Sequence, residues 1–118
     1  TCTIEVAPIS ERVSVLGVFT RPLLDEDLDL DLDLDAAARL CNLLNARQLV
    51  SGAFEFDPDP DVPGPTLRSA IAFEDPAEIT RTMVDHLVFM NWTALAQCLP
   101  AILAMADGIS PEDAVAAI

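Results

Sequence analysis

The chain has 118 residues, 52% of them hydrophobic and 22% charged, with a formal net charge of −14. That length supports one domain with a single modest core, and so large an apolar share excludes a disordered chain. All six basic residues are arginines and no basic stripe exists, which excludes nucleic-acid binding led by phosphate contacts and disfavours anionic membranes. Residues 1–60 carry twelve acids against four arginines and residues 61–118 eight against two. The acidity therefore belongs to the whole surface, where it serves solubility or a basic protein partner.

Residues 2–7 alternate Cys2, Ile4 and Val6 with Thr3 and Glu5, the period-two pattern of a half-buried strand. After a break at Pro8-Ile9-Ser10, residues 12–19 resume with Val13, Val15 and Phe19 alternating against Ser14, Leu16 and Val18, so the two segments form an antiparallel hairpin. Gly17 inside the second strand is expected to mark a bulge. The repeat from Leu28 to Asp35 alternates leucine with aspartate. Aspartate is a poor strand residue and adjacent carboxylates on one face repel, so we read an extended connector. Asp33 or Asp35 should cap the helix that follows over residues 36–49, with Leu40, Cys41, Leu43 and Leu44 on its buried side. Residues 51–57 form a strand with Phe54 and Phe56 on one face. A stiff Pro/Asp loop follows over residues 57–65, then a return strand over 66–73 with Leu67, Ile71 and Phe73 inward and Arg68 outward.

The last third carries the most information. From Pro76 to about Ala106 the chain reads as one long helix, with Asp75 as the acidic cap and a proline at its first position. Ile79, Met83, Leu87, Met90, Ala94 and Cys98 fall on one face, and Val84, Val88, Trp92, Leu95 and Leu99 on its neighbour. The polar sector of Glu78, Thr82, Asp85, His86 and Thr93 is narrow, and Phe89 interrupts it. A surface helix needs an apolar stripe only about 100° wide, so one face is left over for a partner. Pro100 should kink or split the helix near Ala96. Asp107-Gly108 ends it, and Ser110 caps a short helix over 111–118. The order is ββαββα plus a short helix: an α+β domain with helices on one side of an antiparallel sheet.

Catalytic and metal signals are weak. Asp27, Asp29 and Asp31 have the opening spacing of an EF-hand loop, but Leu32 stands where glycine must turn and Ala38 where a bidentate glutamate belongs. His86 is the only histidine, which excludes a histidine-rich metal site. It also lies about 18 Å from Cys98 along a straight helix, too far for a dyad. The other candidate partner for His86, Cys41, stays open. Cys2, Cys41 and Cys98 are odd in number and lack CxxC spacing, which fits buried free thiols in a reducing, cytoplasmic compartment. No cofactor is implied. Trp92 divides evenly between a core anchor and an interaction hot spot.

Leu40-Cys41-Asn42-Leu43-Leu44-Asn45-Ala46-Arg47, followed by Gly52-Ala53-Phe54-Glu55-Phe56-Asp57-Pro58, resembles the YbjN-like family and its actinobacterial relatives. Those domains share the fold of type III secretion chaperones. Asn45 matches a turn position closing a helix, Leu67 to Ile71 the return strand, and Ile79 to Ala106 the long helix. The Leu-Asp repeat and the Pro-rich loop depart from the family. The resemblance implies a non-catalytic bacterial domain that dimerises or holds a segment of another protein, and an N-terminal helix and strand ahead of the hairpin seen here. We therefore expect a chaperone- or adaptor-like protein-binding domain that self-associates through Val84, Val88, Trp92 and Leu95, without nucleic acid, membrane, metal or cofactor. The alternative is an acidic regulatory or decoy domain that holds a basic protein on the Leu-Asp repeat.

Overall fold

The computed structural model describes residues 2–22, 34–47, 49, 52–57 and 64–118. The Leu-Asp repeat up to Asp33, with the EF-hand-like spacing and the decoy surface, lies outside the described residues, as does most of the Pro/Asp loop. Four strands, β1 (Cys2–Pro8), β2 (Ser14–Thr20), β3 (Ala53–Asp57) and β4 (Gly64–Phe73), form one antiparallel sheet in the order β1-β2-β4-β3. Among the described residues three α-helices accompany it: α1 (Leu34–Arg47), α2 (Arg81–Ala106) and α3 (Pro111–Ala116). The fold is the α+β arrangement expected from the hydrophobic periodicities.

The alternation along each strand assigns the two faces of the sheet. Leu16, Val18 and Thr20 of β2 and Leu67, Ser69 and Phe73 of β4 are buried toward the helices, and Arg68 and Ala70 are exposed on the other side. The helix α1 covers β3 and β4, while α2 lies over β2 and β4. Ala37, Leu40, Cys41 and Leu44 recur at helical spacing on α1 and join Phe54, Leu67, Cys98, Ala101, Ile102, Met105, Ala114 and Val115 in the core. Each fully buried leucine or isoleucine there contributes about 1.5–3 kcal/mol of transfer free energy. Leu43 packs at the margin of this cluster.

Asn45, in the last turn of α1, fixes that helix to the sheet edge. Its amide nitrogen donates to Phe54 O at 3.1 Å and its oxygen accepts from Phe54 N at 2.7 Å. Between α1 and β3, Gly52 takes φ +82, and a Cβ there would stand 2.8 Å from Arg68 O and 2.9 Å from Ser69 Oγ. Only glycine meets both demands.

Several expectations are corrected. Gly17 makes no bulge: β1 and β2 pair in unbroken register from Cys2↔Thr20 to Pro8↔Ser14. Glycine is needed for a side-chain reason, because the Phe19 ring lies over it and a Cβ would fall 2.7 Å from that ring. The hairpin turn also runs longer than expected, with Ile9 N donating to Val13 O at 2.9 Å, so β2 starts at Ser14. At the other helix boundary, α1 starts at Leu34, which puts Asp35 inside its first turn and removes it as a cap.

The long helix does not begin at Pro76. Asp75 caps only a 3₁₀ turn, Pro76–Glu78, after which Ile79 is extended. Thr80 then caps α2, its hydroxyl accepting from Met83 N at 3.2 Å. Nor does Pro100 split α2, which is continuous through it. Ala96 and Pro100 both lie on the exposed face, so the carbonyl that loses its donor turns to water and the break costs little.

Candidate protein-binding surface

The rotation of α2 about its axis is set by one buried amide. Asn91 is fully buried; its Nδ2 donates to Val18 O at 3.3 Å, Leu67 O at 3.2 Å and Ser69 Oγ at 3.1 Å, and its Oδ1 accepts from Thr20 Oγ1. A buried amide is tolerated only when its polar atoms are paired, so this network holds Asn91 over the boundary between β2 and β4. Leu87, one turn before it, and Cys98, two turns after it, line the same sheet-facing strip.

Successive helical residues turn by about 100°, so that strip fixes the direction of every other side chain. On one side Ala94, Ala101 and Ala104 meet the core built around α1. Turning the other way brings Leu95, which still packs against that core, then Val84, Val88 and Leu99, all half-buried, and then Trp92, which is 56% exposed. The apolar stripe continues to Phe89 and Leu103, which are 65% and 42% exposed. All four sequence-predicted partner residues, Val84, Val88, Trp92 and Leu95, thus share one side of α2. Trp92 is not a core anchor, because Asn91 takes the sheet-facing position beside it.

This side of α2 is the one away from α1, toward β1. Every residue of β1 is exposed. Its Ile4 and Val6 stand opposite the buried Val18 and Leu16 on the helix-side face, yet remain 51% and 63% exposed. At the N-terminal end of α2 a recess of about 390 Å³ opens between Val6, Leu16, Phe73, Pro76 and Ile79. The result is an apolar shelf, with β1 as its floor and the side of α2 as its wall.

Its electrostatics are simple. Arg81 and Asp85 pair at 3.8 Å in the first turn of α2, and from Leu87 to Ala106 no ionisable side chain other than the Cys98 thiol occurs. A patch of this kind on an otherwise strongly acidic molecule can be covered without burying an unpaired charge. The opposite sheet face is mixed: Arg68 and Glu55 pair at 3.1 Å and Arg21 donates to Thr66 Oγ1 at 3.3 Å, beside Val15, Phe19 and Ala70.

Residues that could do chemistry are scattered. Burial raises the Cys41 thiol to about 11, against a small opposing backbone hydrogen bond, and burial also raises Cys98. Both are therefore poor nucleophiles at neutral pH. His86 is exposed whereas Cys41 and Cys98 are buried. Among the described residues no three His, Cys, Asp or Glu side chains stand together as a metal site. Glu112, exposed, is held below the usual carboxylate range first by its hydrogen bond from Arg39, a contact that ties α3 to α1.

Asn91 was the residue that periodicity alone missed. A single amide between apolar neighbours on both sides, Met90 and Trp92, was the signal available. By length and composition α2 is also apolar enough to cross a membrane, although its polar bonds here go to the sheet. Compared with known protein families, curated proteins and solved structures, the chain matches none.

Proposed function

We propose that this is a non-catalytic protein-binding domain, chaperone- or adaptor-like, that associates through the exposed side of α2, with another copy of itself as the simplest partner. The observation that carries this reading is the position of Trp92: 56% exposed, beside Val88 and Leu95, on a stretch of helix without acidic or basic side chains. Tryptophan ringed by aliphatic side chains is the usual composition of an interaction hot spot. The resemblance to YbjN-like domains supports the chaperone-like part, and the Asn91 network favours a helix packed on its sheet over one that spans a bilayer.

Light scattering coupled to size-exclusion chromatography at low and high salt tests the reading. An association driven by apolar burial is insensitive to salt, whereas one carried by exposed charges weakens as salt rises. Trp92→Asp should remove the association that runs through α2, lowering the mass below that of the parent, and leave the far-ultraviolet circular dichroism spectrum unchanged. A Trp92→Asp protein that associates as the parent does would overturn the assignment of this surface.

A further inference from the structure

The register of the sheet assigns the free hydrogen-bonding groups of β1. In an antiparallel ladder, facing residues alternate between pairs that exchange both backbone hydrogen bonds and pairs that exchange none. Phe54 spends its N–H and C=O on Asn45, off the far edge of the sheet, so Phe54↔Leu67 is a non-bonded pair. Leu67 then bonds across to Thr20, and Thr20 turns its back on Cys2. It follows that Cys2, Ile4 and Val6 point their N–H and C=O groups outward, while Thr3, Glu5 and Ala7 bond to β2.

From this parity we infer that the outer edge of β1, on which no described residue pairs, pairs with β1 of a second copy, antiparallel, about a two-fold axis at Ile4. In that register Ile4 faces Ile4 and Cys2 faces Val6 twice over, three bonded pairs that use every outward group of these residues. Glu5, the only charged residue of β1, then faces Thr3. Centring the axis on Glu5 would set two carboxylates opposite each other, and centring it on Val6 would place Ile4 against Pro8, which has no N–H to give. Pairing also answers the absence, among the described residues, of anything covering this edge: β1 has a single glutamate and a terminal proline and is otherwise a regular exposed strand. A chain of charge −14 associates with itself most readily where its surface carries least charge, and this edge is such a place.

The test is run in the Trp92→Asp background, so that association through α2 does not enter. Ile4→Pro removes an outward N–H and leaves every β1–β2 ladder bond in place. We expect Trp92→Asp alone to show a concentration-dependent dimer, and the Ile4→Pro addition to give a folded monomer. Val6→Cys sets a thiol opposite Cys2 of the second copy, at the roughly 5.5 Å Cα separation of a bonded pair, within disulfide range. Air oxidation should cross-link it, whereas Ala7→Cys, on the other sheet face, should not. A Trp92→Asp protein that is monomeric at every concentration, a dimer that survives Ile4→Pro, or equal cross-linking of the two cysteine variants would overturn the inference. Cross-linking to a different protein in place of a second copy would also overturn it.

Discussion

Replacing Asn91 by leucine tests what holds α2 in place. The substitution keeps roughly the volume of the side chain and removes every polar contact it makes. The carbonyls of Val18 and Leu67 keep their ladder partners, because register parity points both across the β2–β4 boundary. Two hydroxyls, Thr20 Oγ1 and Ser69 Oγ, lose the amide inside the core. An unsatisfied buried group costs about 1–3 kcal/mol, and the apolar burial gained by leucine returns about 1–2 kcal/mol. Two such groups together cost about 2–6 kcal/mol, so the net expectation is a loss of about 1–4 kcal/mol, a sizeable share of the roughly 5–15 kcal/mol that holds a domain together. Urea denaturation followed by circular dichroism reads it as a midpoint about 1 M or more lower. Adding Thr20→Val and Ser69→Ala to Asn91→Leu should recover most of the loss, because apolar groups then replace all partners at once. A single-variant loss below about 0.5 kcal/mol, or added substitutions that only deepen the loss, would show that the network does not anchor the helix.

Three further outcomes follow from particular contacts. Gly17→Ala should cost about 1 kcal/mol in urea melts and Gly17→Val about 1–3 kcal/mol, since the new Cβ must displace the Phe19 ring; unchanged midpoints would refute the close approach. Cys41 and Cys98 titrate above their ordinary values when folded, so the stability they contribute is complete below the unfolded thiol range. It is lost as pH rises from about 9 toward 11, where the unfolded chain ionises first; in Cys41→Ala/Cys98→Ala that alkaline loss should shrink, and an identical pH profile would refute it. A thiol reagent at mildly alkaline pH should label Cys2 at once and the other two only on unfolding, because Cys2 alone is exposed; rapid labelling of all three would refute the burial.

The strands β3 and β4 and the helix α1 were legible because each buries one face and shows a clean period, whereas β1 alternates but is exposed throughout and β2 buries Leu16 and Val18, not Val15 and Phe19. Alternation placed Leu67 and Phe73 inward and Arg68 outward, and the spacing of Leu40, Leu43 and Leu44 marked the core side of α1. The errors cluster where two local signals compete within a few residues. Asp75-Pro76 and Thr80 are both good helix starts, and the sequence offers no measure of which one the chain continues from. Gly17 has two reasons to be glycine, a bulge or a close side chain, and only the position of Phe19 across the strand separates them. Pro100 breaks a helix when the orphaned carbonyl is buried, and here it faces water.

The side of α2 was harder to place for a reason specific to helices apolar around most of their circumference. Periodicity fixes the angles between side chains but not which angle points at the sheet. Two apolar faces, one through Leu87, Met90 and Cys98 and one through Val88, Trp92 and Leu95, are equivalent until something breaks the tie. Asn91 breaks it, because an amide amid that much apolar surface is stable only where polar partners await it, and the boundary between β2 and β4 supplies a carbonyl from each strand and two hydroxyls. Once Asn91 faces the sheet, helix geometry sends Met90 toward α1 and Val88, Leu95 and Trp92 toward uncovered β1. The buried polar residue thereby specifies the exposed apolar surface, and Asn91→Leu should alter the proposed association through Trp92, read by light scattering, without changing any residue of that surface.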